Sequence, residues 1–468
     1  MGLGAFSKPT GGNSLDTAQA IFDQGKRYLD ENKVEKALSC FAQLLNRDFS
    51  NPTLLYMVSD CMIRLGWNGP AINLLGVCLQ AHPQFQEAWN NLGVSFRHEN
   101  YHDLARAAWE KAIAVKPTPE AIGNLATLSA DMGDPDDAIN WCRQALELNP
   151  EHWQSYWNMS LAVLTKREWA EGWDLYEYRK RLSHYDSRAT IDAPDWDGSP
   201  VEHLYLHGEQ GVGDEVMFTS MLPDILRRAK RVTVEAHKKY AGLLQQSFPQ
   251  VAVISKESEA AGSHFDAKCR MGSAARFFRR SREDFPGVPY LHPDPARVAH
   301  YRGELAKLGP GPYLAIAWVG GTKKTRVEDR SIPLSSFRPI LNKYTCVSAQ
   351  YAVVADEALH AEREAAGLVE IDPECAGGDM HAQAALFAAC DAVVTVCQTA
   401  VHVAGAVGTP AFVMVPNRPS WRYGIAGADL PWYDSVRLFR QGPSDTWLQV
   451  LHRVQTALNG QLRQREAA

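Results

Sequence analysis

The chain has no C-x-x-C pair. Its nine cysteines (positions 40, 61, 78, 142, 269, 346, 375, 390 and 397) are scattered, mostly within apolar runs. That spacing excludes a zinc ribbon or a dithiol redox centre and fits reduced core residues of a cytosolic protein. No apolar run is long enough to span a bilayer. The most apolar stretch, Ala384 to Val415, is interrupted by Asp391, Gln398, His402 and Pro410 and reads as a buried strand–helix–strand. Basic excess is missing too: the net charge is −6, with 16 Lys and Arg against 22 Asp and Glu in residues 1–180 and 32 of each in the remainder. This argues against a nucleic-acid binder and leaves the acidic first part as solvated surface. The opening Met1 to Lys8 carries no hydrophobic signal core, and Phe6 breaks the myristoylation pattern. These absences lead to the expectation of a cytoplasmic protein without a membrane span.

What is present begins with a period. A small residue recurs at Ala37, Ala71, Ala105, Ala138 and Gly172, with spacings of 34, 34, 33 and 34. Pro83, Pro117 and Pro150 each follow one of these alanines by 12 residues, and Gly25, Tyr28, Trp89, Leu92 and Gly93 keep step with them. Small residues let two helices approach closely and proline ends the second, which is the pattern of the tetratricopeptide repeat (TPR). Five units over 15–180 predict an α-solenoid whose concave face suits an extended partner. The aromatic run from Trp169 to Tyr178 reads as a cap packing on the next domain. Residues 1–14, rich in Gly, Ser and Pro, read as disordered. Residues 181–200 read as a linker or docking segment.

From 201 onward short apolar strands alternate with helices. Strands are predicted at 203–207, 231–236, 251–254, 313–318, 345–349, 368–371, 392–397 and 411–415, with helices near 214–229, 380–389 and 399–407. Alternation of this kind implies parallel sheets covered on both faces, giving an α + α/β chain with two Rossmann-like domains, 201–308 and 309–468. Ligands of such sheets sit at the carboxyl ends of the strands.

Three clusters occupy those ends. The first is His207-Gly-Glu-Gln-Gly211-Val-Gly213-Asp214-Glu215, where glycines permit a tight turn into a helix; by itself Asp214 is better explained as a helix cap than as a general base. The second, Gly320-Gly-Thr-Lys323-Lys324-Thr-Arg326 followed by Asp329-Arg330-Ser-Ile-Pro, lacks the P-loop spacing. Its position after a strand favours phosphate contact over an exposed charged loop. The third runs from Asp391 through Cys397-Gln398-Thr399-Ala400-Val401-His402 to Pro410. An apolar strand enters a helix of small residues whose free N–H groups favour a phosphate. A lone His such as His402 is more often a satisfied, partly buried ring.

Together EQGVGDEVMF, AWVGGTKK with EDRSIPL, and VCQTAVHVAGAVGTP with WRYG and PWYDSVRLFRQ resemble bacterial TPR-linked glycosyltransferases of the heptosyltransferase-like (family nine) group, over nearly the whole chain. TPR repeats joined to such a catalytic half are also similar to eukaryotic O-GlcNAc transferase, though the motifs here are closer to the bacterial group. The resemblance implies a GT-B fold, with an acceptor-side N-terminal half and a nucleotide-sugar-binding C-terminal half. It gives Asp214 the role of catalytic base, preceded by the glycine loop of Gly211 and Gly213. It places Lys323, Lys324 and Arg330 near donor phosphates and Gln350 near the nucleotide. Asp379, Met380 and His381 lie before a helix beside the base and ribose, and Gln398, Thr399, Ala400 and His402 in the phosphate-binding turn. One departure stands out: where the family reads V-D-T-S-V-A-H, this chain has Cys397 in place of the aspartate. Loss of a carboxylate facing the sugar is compatible with an acidic nonulosonic acid carried on CMP, and ordinary neutral sugars stay open.

The resulting expectation is an inverting, metal-independent glycosyltransferase without a cofactor. Its donor would be a nucleotide-sugar and its acceptor Ser/Thr hydroxyls of a protein held by the repeats, flagellin being the acceptor the resemblance suggests. Tyr28, Asn90, Asn91 and Asn124 are candidates on the inner helices, each equally explained as structural. Two alternatives are transfer to a lipopolysaccharide or capsule precursor, and a TPR interaction scaffold whose GT-B half is inactive. No His/Asp/Glu cluster suggests a metal, and Asp134-Pro-Asp136-Asp137 sits in a repeat turn.

Overall fold

The computed structural model describes residues 12–182, 191–255, 264–321, 326–351 and 356–466. The expected disordered start lies outside the described residues as far as 11, and helix begins at Gly12. By internal contacts the chain forms two compact units, Met1–Met159 and Ser160–Ala468.

Five successive helix pairs fill the repeat region: α1 (Gly12–Asp30) with α2 (Val34–Leu45), α3 (Pro52–Arg64) with α4 (Asn68–Ala81), α5 (Gln86–His98) with α6 (His102–Val115), α7 (Pro119–Asp131) with α8 (Pro135–Leu148), and α9 (Trp153–Thr165) with α10 (Trp169–Tyr176). Their boundaries follow from local chemistry. Asn51, Thr118 and Asp134 cap α3, α7 and α8 through side-chain oxygens, each followed by a proline at the first helical position, where the missing N–H costs nothing. Pro83, Pro117 and Pro150 each stand two residues past the end of α4, α6 and α8. The small column is tightly packed: Ala37, Ala71 and Ala105 are wholly buried. A Cβ on Gly25 would lie 2.7 Å from the Phe41 ring, and one on Gly93 would lie 2.6 Å from the Trp109 ring. Phe41, Leu44, Leu54, Leu55, Val58 and Leu75 centre the core of these repeats.

The division inside α9 is earlier than the repeat pattern suggests: the last helix pair belongs largely with the α/β unit. In that unit β1 (Val201–His207) leads to α11 (Val212–Thr219), α12 (Leu222–Ile225), β2 (Ala229–Ala236), α13 (Lys238–Ser247), β3 (Ala252–Ser255), β4 (Ala267–Arg270) and α14 (Ala275–Phe278). α15 (Pro295–Leu308) precedes β5 (Tyr313–Ala317), α16 (Arg338–Leu341), β6 (Thr345–Ser348), α17 (Glu357–Ala365), α18 (Pro373–Gly377), α19 (Met380–Ala389) and β7 (Ala392–Val396). Then come α20 (Thr399–Val407), β8 (Ala411–Val415), β9 (Asp429–Leu430), β10 (Tyr433–Arg440) and α21 (Trp447–Glu466).

The strands form two sheets, β3-β2-β1-β4 and β6-β5-β7-β8-β10-β9, parallel throughout except for the β9–β10 pair. The N-terminal solenoid followed by parallel-sheet α/β structure is the α + α/β class expected. β7 and β8 are buried at every position, as strands covered on both faces must be. Leu314, Ile316, Val394, Phe412 and Met414 meet Val450, Val454 and Leu458 of α21 in one core. Of the expected linker, residues 183–190 lie outside the described residues. The rest docks beside β4, with Trp196 buried and its backbone N–H donating to Lys268 O at 2.7 Å.

Two expectations differ. The helix expected over 214–229 stops at Thr219, and Pro223 starts the separate turn of α12. Residues 368–371 form no strand; Val369 makes a single bridge to Val347. A short apolar run is compatible with a strand, but Gly367 at φ +66° turns the chain just before this one.

Candidate functional site

Strand order reverses at β1 in the first sheet and at β5 in the second, and crevices open at the carboxyl ends of such strands. The loop after β1 carries Glu209, Gln210 at φ +61°, and Gly211, the residue preceding α11. Asp214 is therefore the third residue of α11, not its N-cap. Its Oδ2 still accepts the Gly211 N–H at 3.2 Å, one half of a capping box. Its Oδ1 accepts from Arg422, the middle residue of the turn Trp421–Tyr423. The pair is mostly shielded: the Asp214 side chain is 11% exposed and that of Arg422 20%.

α11 meets the start of α20 here. A Cβ on Gly213 would lie 3.2 Å from Thr399 Oγ1 and 3.3 Å from His402 Cδ2, so the glycine permits close approach of the first cluster to the third. Gln398 precedes α20 in extended conformation, its amide donating to Thr395 Oγ1 at 3.2 Å. Thr399 is partly exposed at the first helical position, while Ala400 and His402 are buried. His402 Nδ1 lies 3.2 Å from Tyr433 OH, which lies 3.3 Å from Tyr290 OH. Burial pushes the His402 pKa down to about 4; Asp214 opposes that shift and Arg422 adds to it. The ring is neutral at pH 7.

The second cluster reaches the same place from β5. A Cβ on Gly320 would sit 2.7 Å from Cys397 O, so the turn after β5 lies against the end of β7. Lys323 and Lys324 lie outside the described residues. Arg330 is half-buried; desolvation lowers its pKa, and Arg326 and Arg422 push in the same direction. Arg330 lies within electrostatic reach of Arg326, Arg422 and Cys397, the residue two before α20, a cationic setting that favours an anion. Cys397 does not face open space. Its thiol is buried against Met414 O at 3.6 Å and its pKa is pushed up to about 12 by burial. That thiol is a packed, inert group.

Other predicted residues have structural work. Gln350 is buried, its Oε1 accepting the Trp318 and Val319 N–H groups at 2.9 Å each, and its Nε2 donating to Val319 O and Tyr351 O. It fixes the turn after β5. Asp379 caps α19 through His381 N at 2.8 Å, and Arg297 lies 3.8 Å away. Met380 is buried, and His381 is partly exposed beside it. Sequence reasoning passed over Arg422, Tyr433, Glu209 and Arg179. Arg422 and Tyr433 lay inside motifs quoted for the resemblance but had no local mark of function. In the repeats, Asn124 Nδ2 donates to Asn90 Oδ1 at 2.9 Å and Asn91 Nδ2 to Asp60 Oδ1 at 3.4 Å, linking successive units. Tyr28 packs against the core there. Among the described residues no group of three His, Cys, Asp or Glu is placed to hold a metal ion, and no helix is long and apolar enough to cross a membrane.

Comparison with known proteins fixes the relationship. Residues 86–119 and 119–152 match the tetratricopeptide repeat family. Protein FlbA of Caulobacter vibrioides (strain ATCC 19089 / CIP 103742 / CB 15) is 31% identical over 433 residues, spanning 85% of this chain and 71% of FlbA. The chain belongs to the FlbA family. Among solved structures, MamA is 21% identical over 33% of this chain and 91% of its own, with a TM-score of 0.29. A thermophilic TPR protein of Thermus thermophilus is 18% identical over 36% of this chain and 91% of its own, with a TM-score of 0.33. TPR repeats of this kind suggest a role in holding a protein partner.

Proposed function

We propose that this chain is a GT-B glycosyltransferase that moves a sugar from a nucleotide-sugar to Ser/Thr hydroxyls of a protein held by the repeats. The observation that carries the reading is the meeting of Asp214, from the switch point of one parallel sheet, with the Thr399–His402 helix start, from the switch point of the other. A base thereby stands beside an anion-favouring helix end. In the reaction Asp214 takes the proton of the acceptor hydroxyl, whose oxygen attacks the anomeric carbon. The bond from that carbon to the nucleotide breaks, and its electron pair leaves on the phosphate oxygen. Arg330 and the α20 N–H groups stabilise that charge, with no metal required by the logic. Flagellin is the acceptor of first choice through the family resemblance. CMP-linked acidic sugars are favoured by the cationic setting of Arg330, with Arg326 and Arg422 in electrostatic reach, and not by position 397, whose thiol is packed against Met414 O.

The test is a thermal-shift screen of the intact chain against UDP-, GDP-, ADP-, dTDP- and CMP-linked sugars. One saturable stabiliser is expected, since a ligand of the native state raises its stability. No shift with any donor, together with capture of a partner by the repeats, would favour an interaction scaffold. That second reading draws on the two Asp214 oxygens both being already occupied.

A further inference from the structure

Arg179, just past α10, is fully buried, and so is its partner Glu209 in the loop after β1 (0% and 1% side-chain exposure). The contact is a fork: Nε to Oε2 at 3.0 Å and Nη2 to Oε1 at 2.6 Å. Further donors of Arg179 go to Tyr176 O, Glu177 Oε1 and Ser273 Oγ at 2.9–3.0 Å, and its guanidinium lies 4.1 Å from the centre of the Tyr176 ring. Glu209 Oε1 also accepts the Gly272 N–H at 2.8 Å. Desolvation offsets most of the attraction in such a pair, so its main effect is to fix geometry. What it fixes is the loop leading to Asp214. Gln210, next in line, donates to Tyr176 OH at 3.3 Å, and Gly211 bonds Asp214 itself.

The same helical end also holds the other half of the Asp214–Arg422 pair. Trp421 packs its ring 5.6 Å from that of Trp173 and 6.2 Å from that of Tyr176. The adjoining Arg422 guanidinium lies 4.7 Å over the Trp421 ring. Carboxylate and guanidinium come from segments 208 residues apart, yet both are anchored on one face of the last repeat.

We infer that Trp173, Tyr176 and Arg179 are positioning residues that set Asp214 and Arg422 in register, so the end of the repeat array is part of the catalytic scaffold; the kinetic consequence rests on the transferase reading. Arg179→Met alone strands a buried carboxylate, so the test uses the double change Arg179→Met/Glu209→Leu, which removes both charges, alongside Trp421→Leu. All are made in the intact chain. Hydrogen exchange is read peptide by peptide. About tenfold faster exchange is expected over 208–214 in the double variant and over 420–424 in Trp421→Leu, with β5 and β7 still protected. Turnover of the folded protein falls about tenfold or more at an unchanged donor KM, as displaced catalytic groups require. Unaltered exchange in both segments would overturn the inference, as would full turnover by the folded double variant. If the unaltered protein transfers no sugar, the transferase reading alone fails and the exchange result still decides the positioning role.

Discussion

At the scale of single residues, Asp214 and His402 stand on the two helices, α11 and α20, that meet at Gly213. The two carboxylate oxygens of Asp214 each accept one bond, from Gly211 and from Arg422. On the transferase reading, Asp214→Asn preserves shape and removes the proposed base. Turnover should drop by about a hundred- to ten-thousand-fold while calorimetric donor affinity stays within a few-fold. Equal turnover would remove Asp214 from the mechanism. His402 makes a prediction that needs no substrate. Its pKa lies at about 4 in the fold, below the ordinary 6.5, so between those values the unfolded chain binds the extra proton. Stability from this group is complete above pH 6.5 and is lost as the pH falls toward 4, by about 2 kcal/mol at pH 5. Urea titrations at pH 7.5 and pH 5 should show that loss in the unaltered protein and a loss smaller by about that amount in His402→Gln.

At the scale of elements, the repeats were legible because their constraint is local and periodic. A small residue must recur wherever a helix crosses its neighbour, and Gly93 against the Trp109 ring is such a place. Gly93→Ala forces a methyl into a filled space and should cost about 1–3 kcal/mol in thermal or urea unfolding. Gly76, also helical but with nothing within 4 Å of an added Cβ, should gain roughly 0.5–1 kcal/mol on the same change. Equal effects at the two sites would mean that packing does not set the column. The parallel strands were legible for a related reason, since runs such as Ala392–Val396 are apolar at nearly every position. The end of α11 was not, because a helical pattern continues past Ser220 and the break depends on a proline three residues further on. Nor was the partner of Asp214. Its guanidinium arrives from 208 residues away, and no local pattern in Trp421-Arg422-Tyr423-Gly424 announces a long-range ion pair. Gln350 shows the reverse: a residue placed by motif beside a ligand has its amide committed to backbone groups.

At the scale of the whole molecule, the final helix of the repeat pattern lies within the unit Ser160–Ala468 that holds both sheets. Trp169 packs on Phe285 with ring centres 4.9 Å apart, and Trp173 lies edge-on to Phe218 and Trp432 at 6.2 and 6.3 Å. Arg167 donates two bonds to the Asp429 carboxylate at 3.0 Å, and Arg280 pairs with Asp174 at 2.8 Å. Removing the chain up to residue 190 takes away α9, α10 and Arg179, which uncovers those aromatic rings and leaves Glu209 without its guanidinium, both costly in a folded chain. A fragment starting at Ile191 should therefore fail to fold cooperatively and should bind a hydrophobic dye. One starting at Pro150, which keeps the last helix pair, should unfold in a single sharp thermal transition. If the shorter fragment melted as cooperatively as the longer, the last repeat would be a spacer and the α/β unit self-sufficient. The opposite result would make the final repeat a wall of the α/β unit, so that deleting that helix pair would destabilise the sheets and not merely shorten the repeats.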